Sequence, residues 1–206
     1  MALLWVPEAL AYPENGTMKK IKKTSDHLEE NELNRLLKYC RKNQLYTYYL
    51  VVRLGVSTAL RYSDLSQIRW KDIIGKTELV ITEKKTKKVR SIPIPTELSE
   101  TTEQIYKTMK LKDPTQRIIG LHIRTVNKQI KIHAAKAGIR NKKVSTHTWR
   151  KTFGREVWRR NNQSEGSLIK LSYLFNHSSV AITRIYLNIT KEEVDDLYNI
   201  QDMFVH

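Results

Sequence analysis

The sequence predicts an α+β domain that is mainly α-helical, with a small antiparallel β-sheet near its N-terminal third. Two observations predict this. Apolar residues recur at three- and four-residue spacing through most of the chain, the period of a buried helix face. Two short runs break that pattern, Leu79-Val80-Ile81-Thr82 and Val89-Arg90-Ser91-Ile92-Pro93-Ile94. They are rich in β-branched residues and flank the polar stretch Glu83-Lys84-Lys85-Thr86-Lys87-Lys88, as two strands flank a hairpin tip. A length of 206 residues suits one domain with a full core and a short arm.

Residues 1–25 form the arm. Pro7, Pro13, Asn15 and Gly16 break any helix, and Lys19, Lys20, Lys22 and Lys23 make a basic cluster. It reads either as a DNA-contacting tail or as a disordered leader. The domain proper spans 26–206. Its first helix is expected to start at Asp26, with Glu29 completing a capping box, and to run through Leu33, Leu36, Leu37 and Cys40. A second, largely buried helix covers 45–60, where Gly55 marks a close contact, and a helical turn carrying Asp64, Leu65 and Ile68 follows Arg61. Ile73-Ile74, ahead of Gly75, is expected to add a strand before the hairpin, and Pro93 and Pro95 end the sheet. The remainder is helical: 97–110, 125–137 stopped by Gly138, 149–160, 168–175, 179–187 and 191–198.

Charge narrows the partner. Lysine and arginine number 37 against 21 acidic residues, a formal net charge of +16. Such an excess favours a polyanion, because neutralised phosphates release counterions. Cys40 is the only cysteine, which excludes an internal disulfide and a cysteine metal cluster and leaves a small core residue. Neither a signal peptide nor a membrane span is indicated, so a reducing cytoplasm is expected. The sequence lacks a glycine-rich phosphate loop, an Asp-Glu cluster for magnesium and a Cys/His zinc spacing, which disfavours metal-dependent nucleases and NTP-driven enzymes.

Several residues suit the attack of a tyrosine on a phosphodiester. Arg61 follows an apolar run, and Arg150 stands three residues after His147. Two guanidiniums stay charged at any working pH and can neutralise the oxygens of a five-coordinate phosphorus. His147 and His177 can donate to phosphate or move protons near neutral pH. Tyr186, nine residues after His177, is the candidate nucleophile. A lysine at the hairpin tip can protonate a leaving 5′-oxygen, although Lys84, Lys85, Lys87 and Lys88 are not separable by composition. Asp64 can hold Arg61 or a histidine, or serve as a plain surface carboxylate. His27, His122, His133 and His206 have no such setting.

Three segments resemble the motifs of the tyrosine recombinase (phage-integrase) family. Thr58-Ala59-Leu60-Arg61-Tyr62-Ser63-Asp64-Leu65 resembles its first motif, His147-Thr148-Trp149-Arg150 its His-x-x-Arg motif, and Phe175-Asn176-His177-Ser178-Ser179 with Tyr186 its closing motif. The likeness runs from about residue 26 to 200 in the family's order. It implies the family's catalytic-domain fold and a site-specific recombinase that cuts and rejoins DNA through a 3′-phosphotyrosine, with no cofactor and no metal. Arg61 and Arg150 match the family's arginines, and His147 and His177 its two histidine positions. Lys85 is the best match to the hairpin lysine, and Asp64 matches the acidic residue of the first motif. The implied partners are double-stranded DNA and other copies of the chain in a synaptic tetramer, in a nucleoid-associated cytoplasmic setting. Two departures stand out. Asn176 replaces the glycine often found before the histidine, and about 25 residues precede the domain, so no separate core-binding domain is expected. A non-catalytic DNA-binding regulator on this fold and a type IB topoisomerase-like enzyme are the rivals. A basic RNA- or ribosome-associated protein leaves the ordered constellation unexplained.

Overall fold

The structure, a computed structural model, describes residues 24–189. The basic arm and the expected helix over 191–198 lie outside the described residues.

Helix α2 (Tyr46–Thr58) is the central element. Its Tyr49, Leu50, Val51, Val52, Leu54 and Gly55 are all buried, so it is apolar on most of its circumference, as a helix packed on several sides must be. Around it pack α1 (Glu30–Lys42), α4 (Thr96–Thr108) and α6 (Thr148–Arg160), while α5 (Ile123–Lys136) lies against α1. The short α3 (Tyr62–Leu65) continues from α2, and α7 (Glu165–Phe175) and α8 (Val180–Leu187) pack on each other and on α6. The larger core extends from Leu28 to Trp149, and a smaller one joins Ala59, Trp158, Leu168, Leu171, Phe175 and Leu187. The end of α2 and the length of α6 connect the two.

The hairpin is where the sequence places it. Strands β1 (Glu78–Thr82) and β2 (Val89–Pro93) pair antiparallel, with Leu79 opposite Ile92 and Thr82 opposite Val89. The expected third strand does not form. Trp70–Asp72 is a 3₁₀ turn, and the amides of Ile73 and Ile74 both bond back to the Trp70 carbonyl. The Ile73 carbonyl accepts from the buried Ser99 hydroxyl at 2.9 Å. Local partners therefore take the groups that a ladder would need.

Helix α1 also begins later than expected. Asp26 is occupied elsewhere: its amide donates to the Lys143 carbonyl (3.0 Å) and its carboxylate accepts the Lys143 amide (2.7 Å). The capping box is formed instead by Glu29 and Glu32, whose carboxylate accepts the Glu29 amide at 2.9 Å. Cys40 is fully buried, and burial pushes its thiol up to about 12, which suits a packing role.

Gly55 sets the approach of α2 to α6. A Cβ built there would lie 2.7–2.9 Å from Trp149, which is itself 1% exposed. Gly154 does the same for α6 against α7 and α8, where a Cβ would meet Leu187 at 2.8 Å and Phe175 at 3.0 Å. On helix propensity alone Gly55→Ala gains about 1 kcal/mol. Overpacking at Trp149 opposes that gain with about 1–3 kcal/mol. The expected outcome in urea unfolding is a net loss of stability, and a net gain would show that the helices part freely.

Candidate active site

Three chain reversals bring the site together. Helix α2 stops at Ala59, whose left-handed backbone (φ 53°, ψ 23°) turns the chain and delivers Arg61. That conformation costs a non-glycine residue about 1 kcal/mol. Helix α7 stops at Asn176, also left-handed (φ 52°, ψ 50°). Asparagine is the residue after glycine that best tolerates this region, which explains its place before His177. It ends α7 rather than opening α8. The α8 start belongs to Ser179, whose hydroxyl accepts the Ile182 amide at 3.3 Å. The entry to α6 is fixed by Asn127 of α5, which accepts the Thr146 amide at 2.8 Å, and by the Thr148 hydroxyl, which accepts the Ser145 amide at 3.0 Å.

The two arginines meet at one atom. Arg61 Nη2 and Arg150 Nη2 each donate to the Phe175 carbonyl at 3.0 Å. Arg150 Nη1 also donates to the Ala59 carbonyl, and its guanidinium lies 4.3 Å from the Phe175 ring centroid. Both carbonyls belong to helix C-termini, which lack intrahelical donors and carry partial negative charge. Arg150 is 4% exposed, and burial draws its pKa below the ordinary arginine value without threatening its charge.

Tyr186 lies beside this pair. Its ring packs edge-on against Phe175 (5.6 Å) and His177 (5.1 Å). Its hydroxyl is buried without a hydrogen-bond partner, and burial pushes the phenol up to about 12 against the pull of Arg150 and Arg61. His177 is half-buried, with Nδ1 3.0 Å from the buried Thr183 hydroxyl. His147 directly precedes α6 at the protein surface, with its ring partly enclosed by neighbouring groups. Lost hydration and then the neighbouring cations, Arg150 foremost, depress both histidines, so each imidazole is mainly neutral at pH 7.

The hairpin residues depart from expectation. Asp64 is fully buried, but it bonds neither Arg61 nor a histidine; its carboxylate accepts the Lys84 amide at 2.8 Å and anchors the hairpin turn. Glu83 holds the arginine instead. It is 3% exposed and accepts from Arg61 (3.3 Å), Arg90 (3.0 Å) and the Thr86 hydroxyl (2.7 Å). Lys85 is exposed and makes no hydrogen bond or ion pair among the described residues, whereas Lys88 reaches the Asn176 side chain at 3.0 Å. Sequence reasoning missed Glu83, Thr183 and the buried Lys151. Glu83 carried a signal, as the single acid in a basic tip; the other two carried none. Among the described residues no group of three or more His, Cys, Asp or Glu could hold a metal ion.

This fold defines a class, the tyrosine recombinase catalytic domain. The phage integrase family model matches residues 26–193, and the chain belongs to that family. A probable integrase/recombinase of Bacillus subtilis (strain 168), YoeC, is 31% identical over 163 residues, covering 74% of this chain and 83% of that protein. A tyrosine recombinase of Pseudothermotoga lettingae is 30% identical over 179 residues, covering 84% of this chain and 60% of the relative. Among solved structures, XerA recombinase is similar with a TM-score of 0.63 at 20% identity, over 96% of this chain and 69% of that one. The catalytic domain of bacteriophage HP1 integrase is similar with a TM-score of 0.56 at 22% identity, over 80% and 88%.

Glu83 yields a stability prediction. Burial raises its pKa, but Thr86, Arg90 and Arg61 outweigh that and hold it below the ordinary glutamate value. A depressed carboxylate stabilises the fold fully above its unfolded pKa, about 4.3, and progressively less as pH falls through the folded value. Glu83→Gln, which leaves two arginines short of a counter-charge, is expected to cost about 3 kcal/mol at pH 7. The gap to wild type should be full above about pH 4.3 and narrow as pH falls from there through the lower folded value. Denaturant unfolding across pH checks this, and a gap unchanged into acid would assign the loss to packing.

Proposed function

We propose that the chain is a site-specific DNA recombinase that cleaves and rejoins strands through Tyr186. The observation that carries this reading is the convergence of Arg61 and Arg150 on one helix-end carbonyl beside a tyrosine whose hydroxyl is buried. Each guanidinium has five N–H donors, so both have donors to offer the non-bridging oxygens of a scissile phosphate. Tyr186 Oη attacks the phosphorus, the bond to the 5′-oxygen breaks, and a 3′-phosphotyrosine and a free 5′-hydroxyl result. Attack by a 5′-hydroxyl from a partner duplex reverses the step and conserves the bond energy.

His147 and His177 serve as phosphate donors or proton carriers, and the Thr183 contact orients the His177 ring. Lys85 is assigned as the proton donor to the leaving oxygen, a role in which the exposed hairpin tip closes on bound DNA. Asp64 supports the hairpin through Lys84. The partner is double-stranded DNA, consistent with the net charge of +16. Strand exchange between duplexes calls for several copies, assembled as a synaptic tetramer. The catalytic domain is assigned to residues 26–206, after a basic N-terminal arm over residues 1–25, in a nucleoid-associated setting. No helix among the described residues is long and apolar enough to cross a membrane.

Tyr186→Phe tests the reading. The lost hydroxyl has no partner, so the variant should fold at least as stably as wild type. It should bind DNA normally and form no covalent adduct on a nicked suicide substrate. An adduct in the Phe variant would place the nucleophile elsewhere, and no adduct in wild type on any duplex would favour the non-catalytic regulator. Relaxation of supercoiled plasmid without sequence preference would favour a topoisomerase-like enzyme.

A further inference from the structure

Lys151 is the only lysine among the described residues that the fold buries; it is 2% exposed. It stands one residue after Arg150 on α6, and two groups touch its ammonium among the described residues. The Thr24 hydroxyl lies at 3.1 Å, and the Tyr186 ring centroid at 5.1 Å. Burying an ammonium costs several kcal/mol unless its surroundings return that energy, and one hydroxyl returns little. The remaining partner is the π-face of the tyrosine, a geometry within the range of cation–π attraction. The strand-transfer chemistry described above gives Lys151 no task.

We propose that Lys151 is a positioning residue for the nucleophile: its ammonium fixes the Tyr186 ring by its face and favours the negative charge that builds on the phenol oxygen during attack. This rests on the assignment of Tyr186 as nucleophile. The attraction is selective for the reacting state, because ionisation of the phenol makes the whole ring more negative and strengthens its pull on the cation. Thr24 tethers the ammonium from the segment that leads into α1, so that segment takes part in setting the site. Asp26, two residues further along, opposes the effect of burial on the Lys151 pKa and so favours its charged form. The other charged and titratable groups around Tyr186 are Arg150 on α6, Arg61 ahead of α3 and His177 before α8. His147 opens α6, and Glu83 acts from the hairpin through Arg61.

The test uses the full chain labelled with 3-fluorotyrosine, whose phenol is more acidic and titrates in a milder range. The Tyr186 signal in ¹⁹F NMR is assigned by its loss in Tyr186→Phe. Lys151→Met removes the charge and keeps an unbranched apolar chain. It should raise the Tyr186 titration by about one pH unit and slow adduct formation about tenfold at neutral pH, with DNA affinity unchanged. Lys151→Arg should restore most of both. Thr24→Val should shift the titration in the same direction by less, and it keeps the idea testable if Lys151→Met does not fold. An unmoved titration, or equal losses in DNA affinity and cleavage, would overturn the proposal. The titration needs no DNA. A chain that cleaves no duplex would therefore refute the proposed function while leaving the coupling of Lys151 to Tyr186 to be decided by the spectra.

Discussion

Everything at the site depends on the Phe175 carbonyl. It is the last residue of α7 before the left-handed Asn176, and two guanidiniums donate to its oxygen. Two like charges brought to one acceptor repel, by about 4 kcal/mol per pair at about 4 Å in an effective dielectric of about 20 and less at longer range. The chain offsets this with two helix C-termini, at Ala59 and Phe175, and with the buried carboxylate of Glu83. Glu83 is shared with a third guanidinium, Arg90, so the helix ends and one carboxylate balance the arginines only in part. The site therefore carries a fixed positive potential, which under the proposed function an arriving phosphate relieves. Stabilisation of this kind is organised before the reaction begins, and it needs no rearrangement when charge develops.

The scaffold places these charges through close helix contacts. Gly55 lets Trp149 against α2, which puts the next residue, Arg150, within reach of the Ala59 carbonyl. One turn further along α6, Gly154 admits Phe175 and Leu187, which seats both the shared carbonyl and the helix that carries Tyr186. The hairpin is tied in through Asp64, which accepts the Lys84 amide in its turn, and through Glu83, which directly follows β1. Four segments far apart in sequence thus converge by packing rather than by direct attraction among the reactive groups. The same packing keeps the Tyr186 hydroxyl from water and pushes its phenol up to about 12, so the proposed nucleophile is neutral near pH 7 in the free protein.

Much of this was legible in the sequence. The order of Arg61, His147, Arg150, His177 and Tyr186 gave the family, because each lies in a short motif whose residue types the chemistry demands. The hairpin and the long helices were legible from period and β-branching. The third strand was misread because Ile73 and Ile74 look like strand residues, while the Trp70 carbonyl and Ser99 take their backbone groups. The start of α1 was misread because Asp26 is a good cap residue whose carboxylate is held by a loop more than a hundred residues away. Glu83, Thr183 and Lys151 were missed for a related reason. Their roles come from tertiary neighbours that no local pattern encodes, and in a chain with 37 basic residues one buried lysine cannot be told from the exposed ones.

The central claim is that Arg61 and Arg150, held at Phe175, act by neutralising the non-bridging oxygens of the scissile phosphate. Cleavage of a duplex with a single uncharged methylphosphonate at the scissile position measures this directly. Arg150→Lys and Arg61→Ala are compared with wild type on the charged and uncharged substrates. On the ordinary phosphate the variants should be slower by about a hundredfold, the usual cost of a lost transition-state donor. On the methylphosphonate, where one negative charge is gone, most of that deficit should disappear for at least one of the two. An equal deficit on both substrates would contradict the account and make the arginines supports of the fold rather than of the reaction.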